Sequence, residues 1–456
     1  MGKNNFSRIF LLIFICVFFS QIPAQAQRTG FSKEEFINRR NTLMDKVNEG
    51  MIILFGEARY EGSSGLAPGA HFRQDNDFYY FTGNEDKNAI FVMTPRNGES
   101  FLFLPTQTAG EQRSDGANLL YDEKGAEKTG ITEIYELSYF DEFMARNISR
   151  NGSTFYLRMS PRGTQLSIAR RSMSHYNDQL SLDTYRLKKL NERYPVVEIK
   201  DITPFIDMMR VIKSAEEIEV IRRIARISAE GVKQAMLTTK PGVFEYEIET
   251  AAMNVILKHG AMGAGYTPIV GSGPNNCILH YSKNDKAAQA GELLLMDFGG
   301  DLDYLMTDIT RTWPVSGKFS QEQREAYEIV LAVQKACIES YKPGVTIEDV
   351  QKHVAEVMEK KGIDVPETLS HCGPPGKPGA IGHYVGMTVH DVGPRGVPLE
   401  EGMVFAIEPA LYYPEKGFGI RIEDTVLITK DGCEVLTKDV PKEIKKKKKL
   451  MGSHKN

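Results

Sequence analysis

The chain alternates between helical and strand-like spacing of its apolar positions. Between Ser32 and Asn48, apolar Phe36, Leu43 and Val47 recur among charged residues, which is the spacing of a helix. Met51–Phe55 is a short apolar run and reads as a strand. Asp77–Thr82 and Ala89–Met93 read as further strands, with Gly83-Asn84 turning between them. Phe101–Leu104, Thr154–Leu157 and Val196–Glu198 continue the alternation, which predicts an α/β domain over residues 27–200.

A long amphipathic helix opens the second half. Ser214-Ala215-Glu216-Glu217 has the form of a capping box, in which the serine hydroxyl and the glutamate carboxylate satisfy each other's orphan backbone donors. Ile218, Ile221, Ile224, Ala225, Ala229 and Val232 then fall on one face. Further helices are predicted at Glu245–His259, Ala326–Ser340 and Ile347–Lys361, with strands between them. Residues 201–439 therefore read as a second α/β domain. Residues 440–456, with five consecutive lysines from Lys445 to Lys449, read as a basic disordered tail.

The first 26 residues stand apart from both domains. Lys3 and Arg8 precede the apolar run Ile9–Phe19, and Ala24-Gln25-Ala26 supplies the small-x-small pattern of a cleavage site. The run is shorter than the ~20 residues of a bilayer span, so a cleaved signal is expected rather than a stable membrane insertion. The mature chain is expected to start at Gln27 and to be exported, periplasmic or extracellular. The formal net charge of −4 calls for no nucleic acid. Beyond the leader, Cys277, Cys337, Cys372 and Cys433 have neither metal-knuckle nor redox-motif spacing and read as inert thiols.

The candidate chemistry lies in carboxylates at the ends of apolar runs. Asp297 closes Leu293-Leu294-Leu295-Met296, and Asp308 follows eleven residues later. Two strands joined by a turn at Asp301-Leu302-Asp303-Tyr304 would set these two acids side by side, where a divalent cation relieves their repulsion. Glu408 ends Val404-Phe405-Ala406-Ile407. Glu423 sits in Arg421-Ile422-Glu423-Asp424, and His383 in Gly382-His383-Tyr384-Val385-Gly386. Four carboxylates and one imidazole suit hard or borderline ions, and they exceed what one divalent ion needs. Each residue also has an ordinary reading: Asp297 capping a turn, Asp308 paired with Arg311, Glu423 paired with Arg421, His383 as a structural histidine.

These words, in this order, resemble the pita-bread metallopeptidases, the superfamily of methionine aminopeptidase, aminopeptidase P and prolidase. Met296-Asp297-Phe298-Gly299-Gly300, Thr307-Asp308-Ile309-Thr310-Arg311-Thr312, Val389-His390-Asp391-Val392-Gly393 and Ile407-Glu408-Pro409 carry the likeness. The resemblance implies Asp297, Asp308, His383, Glu408 and Glu423 as ligands of two divalent ions per chain. Mn²⁺ is the expected metal, with Co²⁺ and Zn²⁺ as alternatives. Asp308 and Glu423 would bridge, Asp297 would hold one ion, and His383 with Glu408 the other. Phe72-Arg73-Gln74-Asp75-Asn76-Asp77-Phe78-Tyr79-Tyr80-Phe81-Thr82-Gly83 resembles a word of the aminopeptidase P and prolidase N-terminal domains, which methionine aminopeptidases lack. The implied architecture is a creatinase-like α/β domain followed by a pita-bread catalytic domain of α/β (α+β) class. One departure is Gly379, where many aminopeptidase P sequences carry a histidine.

The implied activity is removal of the N-terminal residue from peptides with proline second. Glu408 would take the proton of the attacking water and His390 would steady the tetrahedral oxyanion. His280 would orient substrate or pass a proton to the leaving imide nitrogen. Prolidase is the runner-up. It needs a basic residue for a dipeptide carboxylate, for which Arg421 and Arg395 are candidates. A creatinase-like enzyme lacks the ligand set present here, and non-catalytic pita-bread binders typically lose ligands. The expected partners are proline-containing peptides and further copies of the chain, as a dimer or tetramer.

Overall fold

The computed structural model describes residues 30–57, 72–159, 182–363 and 382–452. The expected signal segment, the Pro/Gly-rich stretch around Gly379, and Cys372 lie outside the described residues.

In the first half, strands β1 (Met51–Phe55), β2 (Ile90–Thr94), β3 (Glu99–Leu104), β4 (Glu133–Glu136), β5 (Thr154–Leu157) and β6 (Glu198–Asp201) form one mixed sheet in the order β4-β3-β2-β1-β5-β6. The helix Lys33–Met44 begins where Ser32 accepts from the Glu35 amide. The expected strand at Asp77–Thr82 is instead a helix, Asn76–Thr82. An unbroken apolar run does not distinguish the two, and local caps decide it. Asp75 accepts hydrogen bonds from the Asp77 and Phe78 amides, and Gly83 ends the helix at φ 62°. The last strand is also shifted: Val196 is exposed, and pairing starts at Glu198.

The second half opens on the helix Ala215–Thr238, with the expected capping box of Ser214 and Glu217. The helix Glu245–Lys258 packs against it. Next come β7 (Gly263–Ala264), β8 (Ile269–Ser272), β9 (Leu293–Asp297), β10 (Gly300–Leu302), β11 (Leu305–Met306) and β12 (Thr310–Pro314). After the helices Gln321–Ser340 and Ile347–Lys360 follow β13 (Gly382–Tyr384), β14 (Val404–Ile407), β15 (Ala410–Tyr413), β16 (Phe418–Arg421), β17 (Asp424–Thr429) and β18 (Gly432–Val435). β8, β9 and β12 form one sheet, and β13, β14, β17 and β18 another. Among the described residues, no helix is long and apolar enough to cross a membrane.

The two halves share a core. Phe31, Phe36 and Tyr79 from the first pack in one cluster with Ile221, Ile224 and Tyr304 from the second. Tyr79 stacks on Tyr304 at 3.7 Å between ring centroids.

The lysine run corrects the expectation of disorder. Residues Ile444–Gly452 form a helix whose Ile444, Leu450 and Met451 pack on the core. Lys447 is buried and donates to the Thr312 carbonyl and the Tyr327 hydroxyl, with its ammonium 4.1 Å from the Tyr327 ring centroid. The other four lysines are exposed. Composition averages over these positions, whereas the spacing of Ile444, Lys447 and Leu450 places one stripe inward.

Candidate metal centre

Strand register brings the five predicted ligands to one place. Asp297, the last residue of β9, pairs with Thr310 of β12, so Asp308 arrives two residues before that pair. The β10–β11 hairpin between them turns at Asp303 and Tyr304, both at positive φ (49° and 67°). A Cβ on Gly299 would fall 1.7 Å from the Thr307 carbonyl oxygen, so only glycine lets the chain fold back this closely beside Asp308. In the other sheet Ile407 pairs with both Gly382 and Asp424. Glu408, one residue beyond Ile407, and Glu423, one before Asp424, therefore emerge at the same edge as His383.

The resulting cluster is tight and largely buried. Asp297, Asp308, Glu408 and Glu423 are all buried. One ligand atom each from Asp308, His383 and Glu423 lies within 4.8 Å of the others. His383 Nε2 stands 3.4 Å from Glu408 Oε1 and 3.5 Å from Asp308 Oδ2. Its Nδ1 is 3.1 Å from the Tyr384 carbonyl oxygen, which can only accept, so the proton of that bond sits on Nδ1 and Nε2 is the ring nitrogen that faces the acids. Thr425 Oγ1 accepts from the Asp308 amide and donates to its carbonyl, clamping that turn to β17.

The electrostatics are those of a cation site. Burial, then the charge of Asp297, hold the Asp308 carboxyl well above the usual carboxylate range. Burial, then Asp308, do the same for Glu423. Glu423 Oε2 accepts from the Thr310 hydroxyl at 2.6 Å, while its Oε1 is buried with no hydrogen-bond partner among the described residues. A bare carboxylate oxygen facing other acids is costly unless a cation sits there. The oxygen-rich set with one imidazole nitrogen fits a divalent ion.

The ordinary readings of these acids fail geometrically. Arg311 turns away from Asp308 and pairs with Asp424. Arg421 pairs with Asp297, not Glu423. It also donates to Thr310 Oγ1 at 2.8 Å and to the Tyr412 hydroxyl at 3.0 Å. Arg421 is 1% exposed, which corrects the expectation that it reads substrate: its donors are committed inside the protein. Sequence reasoning missed Tyr266, whose hydroxyl reaches Asp297 Oδ1 at 2.6 Å and Asp308 Oδ1 at 2.5 Å. It also missed Thr310 and Tyr412. Short polar residues of this kind carry no periodic signal.

The two outer histidines lie at the mouth. The His390 ring is 4.1 Å from that of His383. Desolvation, then the neighbouring His383, push its pKa down to about 4, with His280 adding to the fall. His280 itself is exposed, beside exposed Ile278 and Leu279. Arg395 is exposed on the loop after His390. Cys277, Cys337 and Cys433 are free, and burial raises each thiol, Cys337 to about 12 and Cys433 to about 11.

Residues 219–430 match metallopeptidase family M24, and residues 36–156 match the aminopeptidase P N-terminal domain. A Xaa-Pro aminopeptidase of Escherichia coli K12 is 34% identical over 449 residues, covering 92% of this chain and 98% of that one. The chain belongs to metallopeptidase family M24. Another relative of this M24 chain is the mitochondrial intermediate cleaving peptidase 55 of Arabidopsis thaliana, 32% identical over 93% of this chain and 84% of its own. Among solved structures, E. coli aminopeptidase P with the inhibitor Pro-Leu superposes with a TM-score of 0.79 at 30% identity, covering 93% of this chain and 99% of the other. The expected architecture, an aminopeptidase P-type N-terminal domain followed by a pita-bread catalytic domain, is therefore present. The chain is a metal-dependent aminopeptidase hydrolase of that branch.

Proposed function

We propose that this M24 enzyme removes the N-terminal residue from peptides whose second residue is proline. The observation that carries the reading is the buried Glu423 Oε1, without a hydrogen-bond partner among the described residues, beside Asp297, Asp308, His383 and Glu408, in a chain that also has the aminopeptidase P N-terminal domain. These five residues would hold two divalent ions, Mn²⁺ by preference. Four carboxylates against the single guanidinium of Arg421 leave more negative charge than one divalent ion balances. When bound, the ions supply Lewis acidity to the scissile carbonyl and make water acidic enough to attack near neutral pH.

The chain's own residues do the rest. Glu408 takes the proton from the attacking water as general base. Desolvation and the neighbouring His383 disfavour the charged form of His390, and the neutral imidazole donates an N–H to the developing oxyanion. His280, at the mouth, orients the peptide and passes a proton to the proline nitrogen, which has no N–H of its own. Tyr266 and Arg421 hold Asp297 in place from either side.

The test is hydrolysis of a panel containing Xaa-Pro-Xaa, Xaa-Pro and Xaa-Ala-Xaa. Cleavage of the first alone supports the proposal. Cleavage of Xaa-Pro alone makes the enzyme a prolidase, and with Arg421 committed to Asp297 the exposed Arg395 would then read the dipeptide carboxylate. We also propose export, on the basic start, apolar run and Ala24-Gln25-Ala26. Mass spectrometry of protein recovered outside the cytosol should find Gln27 first, and an intact Met1 on cytosolic protein removes the proposal. The resemblance further supports a homo-oligomer, and a monomer by light scattering would overturn that.

A further inference from the structure

His390 sits on the loop Gly386–Asp391, which is gripped at both ends: by Arg73 of the N-terminal half at one, and at the other by Arg210, which Asp77 of that half holds. At one end, Arg73 Nη2 donates to the Met387 carbonyl at 2.8 Å, while Nη1 pairs with Asp301. Arg73 also lies 4.3 Å over the Tyr304 ring, and Asn76 Nδ2 reaches the same Met387 carbonyl at 3.4 Å. At the other end, Arg210 spans two acids. Its Nη1 bonds Asp77 Oδ1 at 2.7 Å and its Nη2 bonds Asp391. Asp77 is held in turn by Arg158, which also reaches Asp207 at 2.6 Å.

Asp391 closes the loop on itself. Its carboxylate accepts from the Met387 amide at 3.1 Å and the Thr388 hydroxyl at 3.2 Å, and its amide donates to the Tyr384 carbonyl at 2.9 Å. A Cβ on Gly386 would lie 2.0 Å from Asp391 Oδ2, so the loop is wrapped tightly round this carboxylate. Arg73 and Asp77 belong to the Phe72–Gly83 word, for which the chemistry at the metal centre has no direct use.

We propose that Arg73 and Arg210 are positioning residues for His390. By fixing Met387 through Arg73, and Asp391 through the Asp77–Arg210 pair, the N-terminal half sets the imidazole over the site. The idea rests on the reading of His390 as a substrate contact. A network that only joined the two halves would affect stability without regard to His390.

The test uses the full chain with Arg73→Lys, Asn76→Ala and Arg210→Lys. Lysine keeps the charge but loses the planar fork that spans two acceptors. Metal content should be unchanged. Hydrogen exchange at the Met387 and Asp391 amides should quicken by about tenfold, and the His390 imidazole resonance, assigned by its loss in His390→Ala, should shift. On Xaa-Pro-Xaa, kcat should fall about tenfold with KM little changed, and in the His390→Ala background the same change should cost less than about twofold. Unchanged exchange overturns the grip. Equal losses of kcat in both backgrounds overturn His390 as its target. If the parent chain fails to cleave Xaa-Pro-Xaa, the functional reading fails, while exchange and the imidazole resonance still decide the positioning claim. Should Arg210→Lys not fold, the variants at the partly exposed Arg73 and Asn76 decide it.

Discussion

Replacing Glu423 by Gln should pull apart metal retention and fold stability, which ordinarily move together. Among the described residues Glu423 Oε1 is buried without a donor, and the carboxyl is already pushed well above its usual range by burial and by Asp308. A buried polar atom left unsatisfied costs about 1–3 kcal/mol. Glutamine keeps the shape, and its carbonyl can accept from Thr310 as Oε2 does now. Its amide faces Asp308, whose ligand oxygen lies within 4.8 Å. The metal-free variant should therefore be more stable than the metal-free parent by about 1–3 kcal/mol. For a domain of this size that is a Tm rise of roughly 2–4 °C per kcal/mol. With metal this gap closes or reverses. The parent gains ~2.7 kcal/mol when the ion is at a hundred times its Kd, and the variant, having lost a carboxylate ligand, gains little. Thermal melts in chelator and in saturating Mn²⁺, with metal content by mass spectrometry, measure both arms. A metal-free Glu423→Gln protein that melts below its parent would refute the reasoning, because the carboxylate would then be stabilising on its own.

The same acids predict a pH dependence. Asp308 and Glu423 hold protons in the folded metal-free chain at pH values where unfolded carboxylates have lost them, so their contribution to stability is present at acid pH and lost as pH rises through the raised folded values. In chelator the Tm gap between Glu423→Gln and the parent should widen from acid towards neutral pH, and a constant gap would count against the raised pKa. Exhaustive chelation should abolish hydrolysis, and Mn²⁺, Co²⁺ or Zn²⁺ should restore part of it; full activity of metal-free protein would end the metallopeptidase mechanism. Asp308→Asn should lose both bound metal and turnover, read by metal analysis alongside peptide cleavage. His390→Ala should keep its metal but lower kcat and kcat/KM together by roughly 10²–10³-fold. A metal-stripped variant would make His390 a ligand, and a fully active one would make it structural.

Much of the fold was legible because caps and periodic runs are local. The Ser214–Glu217 box and the apolar face from Ile218 to Val232 define a helix without help from the rest of the chain, and it is found as read. The aromatic run Phe78–Phe81 was misread because burial on all sides erases the difference between a helical and a strand period. The deciding residue, Asp75, is polar and stands just outside the run, and its meaning lies in one side chain accepting two amides. The lysine run failed for a related reason. Lys447 is stable inside only because Thr312 and Tyr327 meet it, and those partners lie 135 and 120 residues away.

The metal centre divides along the same line. Asp297 and Glu408 stood out because each ends an apolar run in a charge, as Asp297 ends Leu293–Met296, while the full set with Asp308, His383 and Glu423 was implied by the family resemblance. What steers those ligands was not legible. Arg421 sits two residues before Glu423, so sequence distance pairs it with the wrong acid. The strand register sends its guanidinium across to Asp297, while Glu423 turns to Thr310. Tyr266 bridges Asp297 and Asp308 across separations of 31 and 42 residues and has no pattern around it. A side chain that coordinates or titrates betrays itself by the cost of its burial. A side chain that positions it is an ordinary polar residue until the sheet register is known, and the same distinction hid Arg73 and Arg210 behind His390.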